Sequence, residues 1–357
     1  MVKKMSQITG KKTSAIPSTR PLASLRISFG RCNLLSAIHL DFLFLFFGLV
    51  FLTSCAKPMH KDKFVIAGTF LEVMSTDARA SQIVYEEFKR LDKIFNFYDK
   101  NSEISRLNST YNTPVKVSPE LLEVLRLSQQ LNQMTNGAFD VSYGSLYDFW
   151  KELIKKGSIK ELPSKETIDS IMKNCGMDKI KIDAADSTVT LQKEGLKIDL
   201  GAIAEGYMVD KAVIALKKKG ISSALINAGG DIYCLGTNRK NPWRVGIKNP
   251  SEIEGIIENE DLVDEAITTS GNYEQFFDLG GKRYSHIIDP RTGFPVATHV
   301  ISASVITKNC TTADGLATAF FVGGISGVND FLSKYRSTMR IFLVTQEGKQ
   351  KRVHVFR

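Results

Sequence analysis

The order of apolar periodicities along the 357 residues constrains the fold of this chain more than any other feature. Helical spacing concentrates early. Ile83, Val84, Phe88, Leu91, Ile94 and Phe95 predict a helix over 77–96, and Leu121, Val124, Leu125, Leu127, Leu131 and Met134 predict another over 118–134. The second opens on Ser118 and Pro119, a cap residue followed by proline at the first helical position. Strand-length runs dominate after Ile221: 224–226, 231–235, 243–247, 266–270, 275–277, 284–288, 300–306 and 342–344. Further expectations are a strand over 64–74 broken by Gly68, a hairpin of 179–182 with 188–192, a short strand over 197–199, and helices over 201–219 and 314–321. Helices first and strands later predict an α+β fold rather than a doubly wound sheet. No glycine-rich nucleotide fingerprint follows a strand, so neither a Rossmann nor a P-loop site is supported.

A basic stretch precedes Phe42–Leu52, eleven residues without a polar side chain. A membrane-spanning helix needs about 20 apolar residues, so this run reads as the core of a secretory signal. Leu52, Thr53, Ser54 and Cys55 then resemble the lipobox of bacterial lipoproteins, in which the cysteine is lipidated and becomes the new N-terminus. The expected organisation is a lipoprotein-type signal peptide over 1–54, a tether over 55–63 and a body over 64–357. The expected location is the bacterial cell envelope, lipid-anchored through Cys55 and facing the periplasm. Residues 1–54 carry seven basic side chains against Asp41, which is most of the net +9. The body is therefore close to neutral and lacks the basic footprint of a nucleic-acid binder. Cys175, Cys234 and Cys310 show no paired spacing and read as core thiols.

Four segments look chemical. Asp199, Leu200 and Gly201 place a carboxylate at a strand end before a helix, where it serves as a cap or leaves helix N–H groups for a phosphate. Asn227, Ala228, Gly229, Gly230 and Asp231 form either a bulged turn or a site of close backbone approach to a ligand. His286, read as lying on a strand, precedes a turn through Asp289, Pro290, Arg291, Thr292 and Gly293, and a histidine is readily poised as a base near neutral pH. Asp314 and Thr318 stand four apart on one helical face, which suits either an N-terminal cap or a Mg²⁺ ion.

In order, these segments resemble the FAD:protein FMN transferases, the ApbE-like family. The resemblance also rests on Gly68 and Thr69, on Tyr98 before Ser102–Ser105, on Gly137–Asp140 leading to Trp150, and on Thr269–Gly271 with Tyr273 and Glu274. It covers roughly residues 64–345. It implies mixed or antiparallel sheets with packed helices and FAD bound in a cleft. It implies Mg²⁺-dependent transfer of the FMN moiety of FAD to a Thr or Ser hydroxyl of an exported acceptor, releasing AMP. FAD hydrolysis to FMN and AMP, or flavin binding without turnover, stay as alternatives. By the same resemblance Asp314, Thr318 and the Ala202 carbonyl hold the metal. Tyr98, Ala138, Phe139, Asp140, Asp199, Glu205 and Ile288 line the FAD site, and His286 is the base. Acceptors implied are subunits of sodium-translocating NADH:quinone oxidoreductase or Rnf-type complexes. Ala67 departs from the family's usual methionine, and Glu205 stands where many relatives have lysine.

Overall fold

The computed structural model describes residues 57–357 except 156–160, 251–254, 273–275, 280–281, 297–298, 336–337 and 349. The signal segment, Cys55, Tyr273 and Glu274 lie outside the described residues.

The expected strand over 64–74 is a hairpin, β1 (His60–Ile66) and β2 (Thr69–Ser75), turning at Ala67 and Gly68. Both turn residues have positive φ, +53° and +77°, as a two-residue hairpin turn matched to strand twist requires. Strand β1 begins at His60, within the stretch 55–63 that the sequence reads as a tether. Lys61 and Lys63 are paired into the sheet by ion pairs to Glu72 at 2.9 and 3.0 Å.

This hairpin edges an eight-stranded antiparallel sheet with β6 (Ala224–Ala228), β7 (Asp231–Leu235), β10 (Glu265–Gly271), β13 (Val300–Thr307), β14 (Arg340–Glu347) and β15 (Gln350–Phe356). The spatial order is β1-β2-β6-β7-β10-β13-β14-β15. A three-stranded sheet orders β3 (Val115–Lys116), β5 (Thr188–Leu191) and β4 (Ile180–Asp183), and β8 (Trp243–Lys248) pairs with β9 (Ile256–Leu262). A last hairpin joins β11 (Phe276–Leu279) to β12 (Lys282–Ser285). All named strand pairs are antiparallel; the one parallel contact among the described residues is a bridge from Tyr143 to Lys197.

Seven α-helices are described: α1 (Ala80–Phe95), α2 (Glu103–Asn108), α3 (Pro119–Met134), α4 (Gly144–Lys155), α5 (Lys165–Met172), α6 (Ala204–Lys218) and α7 (Cys310–Lys334). The Ser118 hydroxyl accepts the Leu121 N–H at 3.2 Å, the cap expected for α3. Helix α6 ends in a Schellman motif: Ile221 N–H donates to Leu216 O, and Gly220, at φ +75°, donates to Lys217 O. Helix α7 is long and apolar enough to span a membrane, but fourteen of its residues are buried in the protein, so it is a core helix. It packs against α6, β10 and β13 and brings Leu316, Phe320 and Phe321 into the main core. A smaller cluster around Leu146, Trp150 and Ile168 includes Ile288 and Phe294.

Candidate functional site

Two helices define the centre of the site. Helix α6 was expected to open at Gly201 with Asp199 as a possible cap; it begins at Ala204, and its N-cap position, Ile203, makes no side-chain cap bond. Asp199 closes a turn further upstream, accepting the Gly201 N–H at 2.8 Å. The expected strand over 197–199 is reduced to the single Lys197 bridge. Its backbone groups bind elsewhere: Ile198 exchanges both its N–H and C=O with the Asn108 amide, and Asp199 N–H donates to Val141 O. Ala202 lies in the turn between Asp199 and α6, with Glu205 in the first turn of the helix.

Helix α7 starts at Cys310, a turn before Asp314, so Asp314 is not a cap. Its carboxylate, 8 % exposed, accepts the Gly206 N–H from α6 at 3.3 Å and hydrogen-bonds the Asp231 carboxyl. Burial raises Asp314 to about 7 against the usual 3.8, with the hydrogen bonds from Gly206 and Asp231 opposing the rise. One turn on, Thr318 Oγ1 lies 3.1 Å from Ser270 Oγ of β10. The page of α7 that carries Asp314 and Thr318 thus faces Asp231 at the start of β7 and Ser270 on β10.

Gly206 is where the two helices touch. A Cβ there would come within 2.6 Å of Cys310 O and 2.9 Å of the Asp314 Cβ. Between β6 and β7 the chain turns on Gly229 and Gly230 alone, at φ +59° and +114°, so of the two readings of this segment the bulged turn is not the one formed. Gly229 donates to Phe70 O at 2.9 Å. A Cβ on Gly229 would strike Thr69 Oγ1 and lie 2.7 Å from a Glu205 carboxylate oxygen. Thr69 and Glu205 therefore both pack against the Gly229 turn.

The other expected binding residues form an arc around α4. The Tyr98 ring is 62 % exposed and lies under the Lys151 ammonium, 3.6 Å from the ring centroid. Lys151 also acts electrostatically on Asp199, whose carboxyl is raised by burial. Tyr147, four residues before Lys151, is pushed up to about 12, mainly by burial, with Asp199 and Tyr98 adding to it. Asp140 accepts the backbone and hydroxyl hydrogens of Ser142 at 2.8 and 2.6 Å and one from the Asn132 amide at 3.1 Å; burial raises its carboxyl. Ala138 and Phe139 are core side chains, so what they can offer a ligand is backbone, and Phe139 O already accepts from Asn132 at 2.8 Å.

His286 follows β12 instead of lying on it, because the Ser285 hydroxyl takes the Ile287 N–H at 3.0 Å and ends the ladder. Ile288 keeps only a bridge to Pro295 and packs in the Trp150 cluster. Asp289 and Arg291 are committed to each other by two hydrogen bonds of 2.9 and 2.7 Å. The loop is tied to α4 by Trp150 Nε1 donating to Gly293 O at 2.9 Å, and to α7 by Arg291 donating to Val322 O at 3.4 Å. A cavity of about 240 Å³ opens between Ala138, Arg291 and Ala319. The larger groove, about 500 Å³ between α1, α3 and α6, contains none of these residues. Sequence reasoning missed the Asp314–Asp231 contact; the glycine pair before Asp231 was the signal available.

The sequence profile of the ApbE family matches residues 67–343. The chain belongs to the ApbE family. It is 34% identical to the FAD:protein FMN transferase of Vibrio cholerae, over 77% of this chain and 85% of that one. With the Escherichia coli protein of the same name it shares 28%, over 91% and 94% of the two chains. The crystal structure of the ApbE protein from Thermotoga maritima superposes with a TM-score of 0.73 at 31% identity, covering 83% of this chain and 96% of that one. The flavin transferase ApbE from Vibrio cholerae gives 0.73 at 29%, covering 84% and 97%. The α+β architecture expected from the sequence is that of this family.

Proposed function

We propose that this chain is a flavinyltransferase that moves the FMN moiety of FAD to a Thr or Ser hydroxyl of an exported acceptor protein, with Mg²⁺ held at Asp314. The observation that carries this reading is the buried Asp314 carboxyl against the half-buried Asp231, beside Gly206 N–H and Thr318, in a chain of the ApbE family. Two hydrogen-bonded carboxyls, one of them disfavoured as an anion by burial, make a donor set suited to a hard divalent cation, which takes oxygen ligands and competes with the proton. Asp314, Thr318 and the Ala202 carbonyl would hold Mg²⁺, with Asp231 beside them; bound there, the ion offsets negative charge on the FAD diphosphate.

The residues around it position and protonate. Tyr98 offers an exposed aromatic face for a flat ring. The Asp199–Gly201 turn and Glu205 border the start of α6. His286 takes the proton of the acceptor hydroxyl as its oxygen bonds to the FMN phosphorus; the phosphoanhydride bond breaks and AMP leaves with that electron pair. Acceptors are subunits of sodium-translocating NADH:quinone oxidoreductase or Rnf-type complexes, met at the periplasmic face of a membrane to which Cys55 tethers the enzyme.

The test is incubation of the full chain with FAD, Mg²⁺ and an acceptor domain, read on a denaturing gel. Flavin fluorescence that stays with the acceptor supports transfer. Release of free FMN and AMP without labelled acceptor replaces transfer by hydrolysis, and unchanged FAD removes turnover altogether.

A further inference from the structure

Asp210 has no part in the mechanism above, yet it is a half-buried carboxylate with both oxygens committed to the helix that carries Asp314. It lies on α6, one turn after Gly206. Its Oδ1 accepts the Cys310 N–H at 2.9 Å, and its Oδ2 accepts the Thr311 N–H at 2.9 Å and the Thr311 hydroxyl. These are orphan N–H groups of the first turn of α7, which a helix ordinarily satisfies with its own N-cap side chain. Here the N-cap, Asn309, makes no such bond. The cap of α7 comes from another helix.

We infer that Asp210 is a positioning residue for Mg²⁺: with Gly206 it latches α6 to the first turn of α7 and fixes where Asp314 stands. Gly206 and Asp210 are four apart, so they share one face of α6. That face meets α7 twice, at Gly206 N–H to Asp314 Oδ2 and at Asp210 to residues 310 and 311. The absence of a side chain at Gly206 sets the spacing, and the three Asp210 bonds set the rotation and axial position of α7. The ion's near-octahedral demand punishes small displacements of a ligand, and partners that orient metal ligands typically matter by about 10–100-fold in affinity. The inference rests on the reading of Asp314 as the metal ligand.

The experiment separates capping from positioning. Mg²⁺ affinity is measured by calorimetry on the full chain, with melting temperature alongside, for Asp210→Ala, Asp210→Asn, Asp314→Ala and the double variant Asp210→Ala with Asn309→Ser. Serine at 309 supplies a local cap to α7 without rebuilding the link to α6. Asp210→Ala is expected to weaken Mg²⁺ about 10–100-fold and to lower the melting temperature. The double variant is expected to regain melting temperature and not affinity. Asp210→Asn, which can accept only at one oxygen, keeps the test open should the alanine variant not fold; its affinity should fall as well. If the local cap restores affinity too, or if either Asp210 variant binds Mg²⁺ like the wild type while Asp314→Ala has lost it, the latch is wrong. If Asp314→Ala itself binds Mg²⁺ normally, the ligand assignment fails and takes the latch with it.

Discussion

Asp314 carries more of the proposed chemistry than any other residue, and its environment makes two testable demands. Replacing it with alanine removes the carboxylate that Gly206 and Asp231 hold in place. Turnover should fall below detection and calorimetric Mg²⁺ binding should vanish; wild-type activity that EDTA still abolishes would place the ion elsewhere. Its protonation sets a pH dependence. The folded carboxyl is raised from 3.8 to about 7, because burial disfavours the anion. The native state then binds the proton more tightly than the unfolded chain, so the stability this gives is fully present below 3.8 and is lost as pH rises through about 7. Without metal, the melting temperature should drop between pH 5.5 and 8. Mg²⁺ competes with that proton, so the stabilisation it gives should be larger at pH 8 than at pH 5.5; the opposite trend would separate the ion from Asp314. His286 makes a third demand. A serine or threonine hydroxyl attacks phosphorus slowly unless its proton leaves, and general-base help is typically worth about 10²–10⁴-fold. His286→Ala should lose single-turnover transfer by a factor in that range with FAD affinity, read by fluorescence titration, nearly unchanged. Loss confined to FAD binding would make the histidine a binding residue.

Among the elements, the contact of α6 with α7 is the most exacting. Gly206→Ala would drive a methyl group against Cys310 O and the Asp314 Cβ, both backbone-linked atoms with little freedom to give. Overpacking of this kind costs about 1–3 kcal/mol. The expected outcome is a lower urea midpoint together with weaker Mg²⁺ binding, whereas Gly220→Ala, distant from the site at the end of α6, should affect the midpoint alone. The contrast also shows what a sequence can disclose. Helix α3 was legible from its apolar stripe and from Ser118 and Pro119, because caps and periodicity are local. Strands β6, β7, β10 and β13 were legible for the same reason. Helix α2, with two buried apolar residues, carries too little local signal, whereas α4 has a helical spacing of Leu146, Phe149, Trp150, Leu153 and Ile154 that the sequence reading passed over. The start of α7 was misplaced because its cap, Asp210, lies a hundred residues away. The candidate site followed the same rule. Asp314 with Thr318 is an i, i+4 pair and could be read directly, but the pairing of Asp314 with Asp231 is created only when β7 and α7 pack together.

At the scale of the whole molecule, a near-neutral body follows a basic, apolar N-terminal segment. The sheet takes up the chain at His60, and Lys61 and Lys63 are already bound to Glu72. From Cys55 to His60 there are five residues, which span at most about 18 Å when extended. If Cys55 bears the lipid, the edge hairpin β1–β2 is held close to the bilayer, and so is Thr69, which packs on the Gly229 turn. Such an anchor would hold the enzyme among membrane-bound acceptors, and among the described helices the longest apolar one, α7, is buried in the core. A single acyl chain holds a protein only marginally, whereas two or more chains hold it stably, so the location should depend on this one residue. Cys55→Ser should appear in the soluble periplasmic fraction while the wild type sediments with membranes, and radiolabelled palmitate should enter the wild type alone. Purified Cys55→Ser should transfer FMN to a soluble acceptor domain at the wild-type rate but label a membrane-embedded acceptor more slowly in cells, since only encounter has changed. Equal palmitate incorporation by both forms would overturn the anchor, and an equal rate on the membrane-embedded acceptor would show that tethering has no part in choosing the partner.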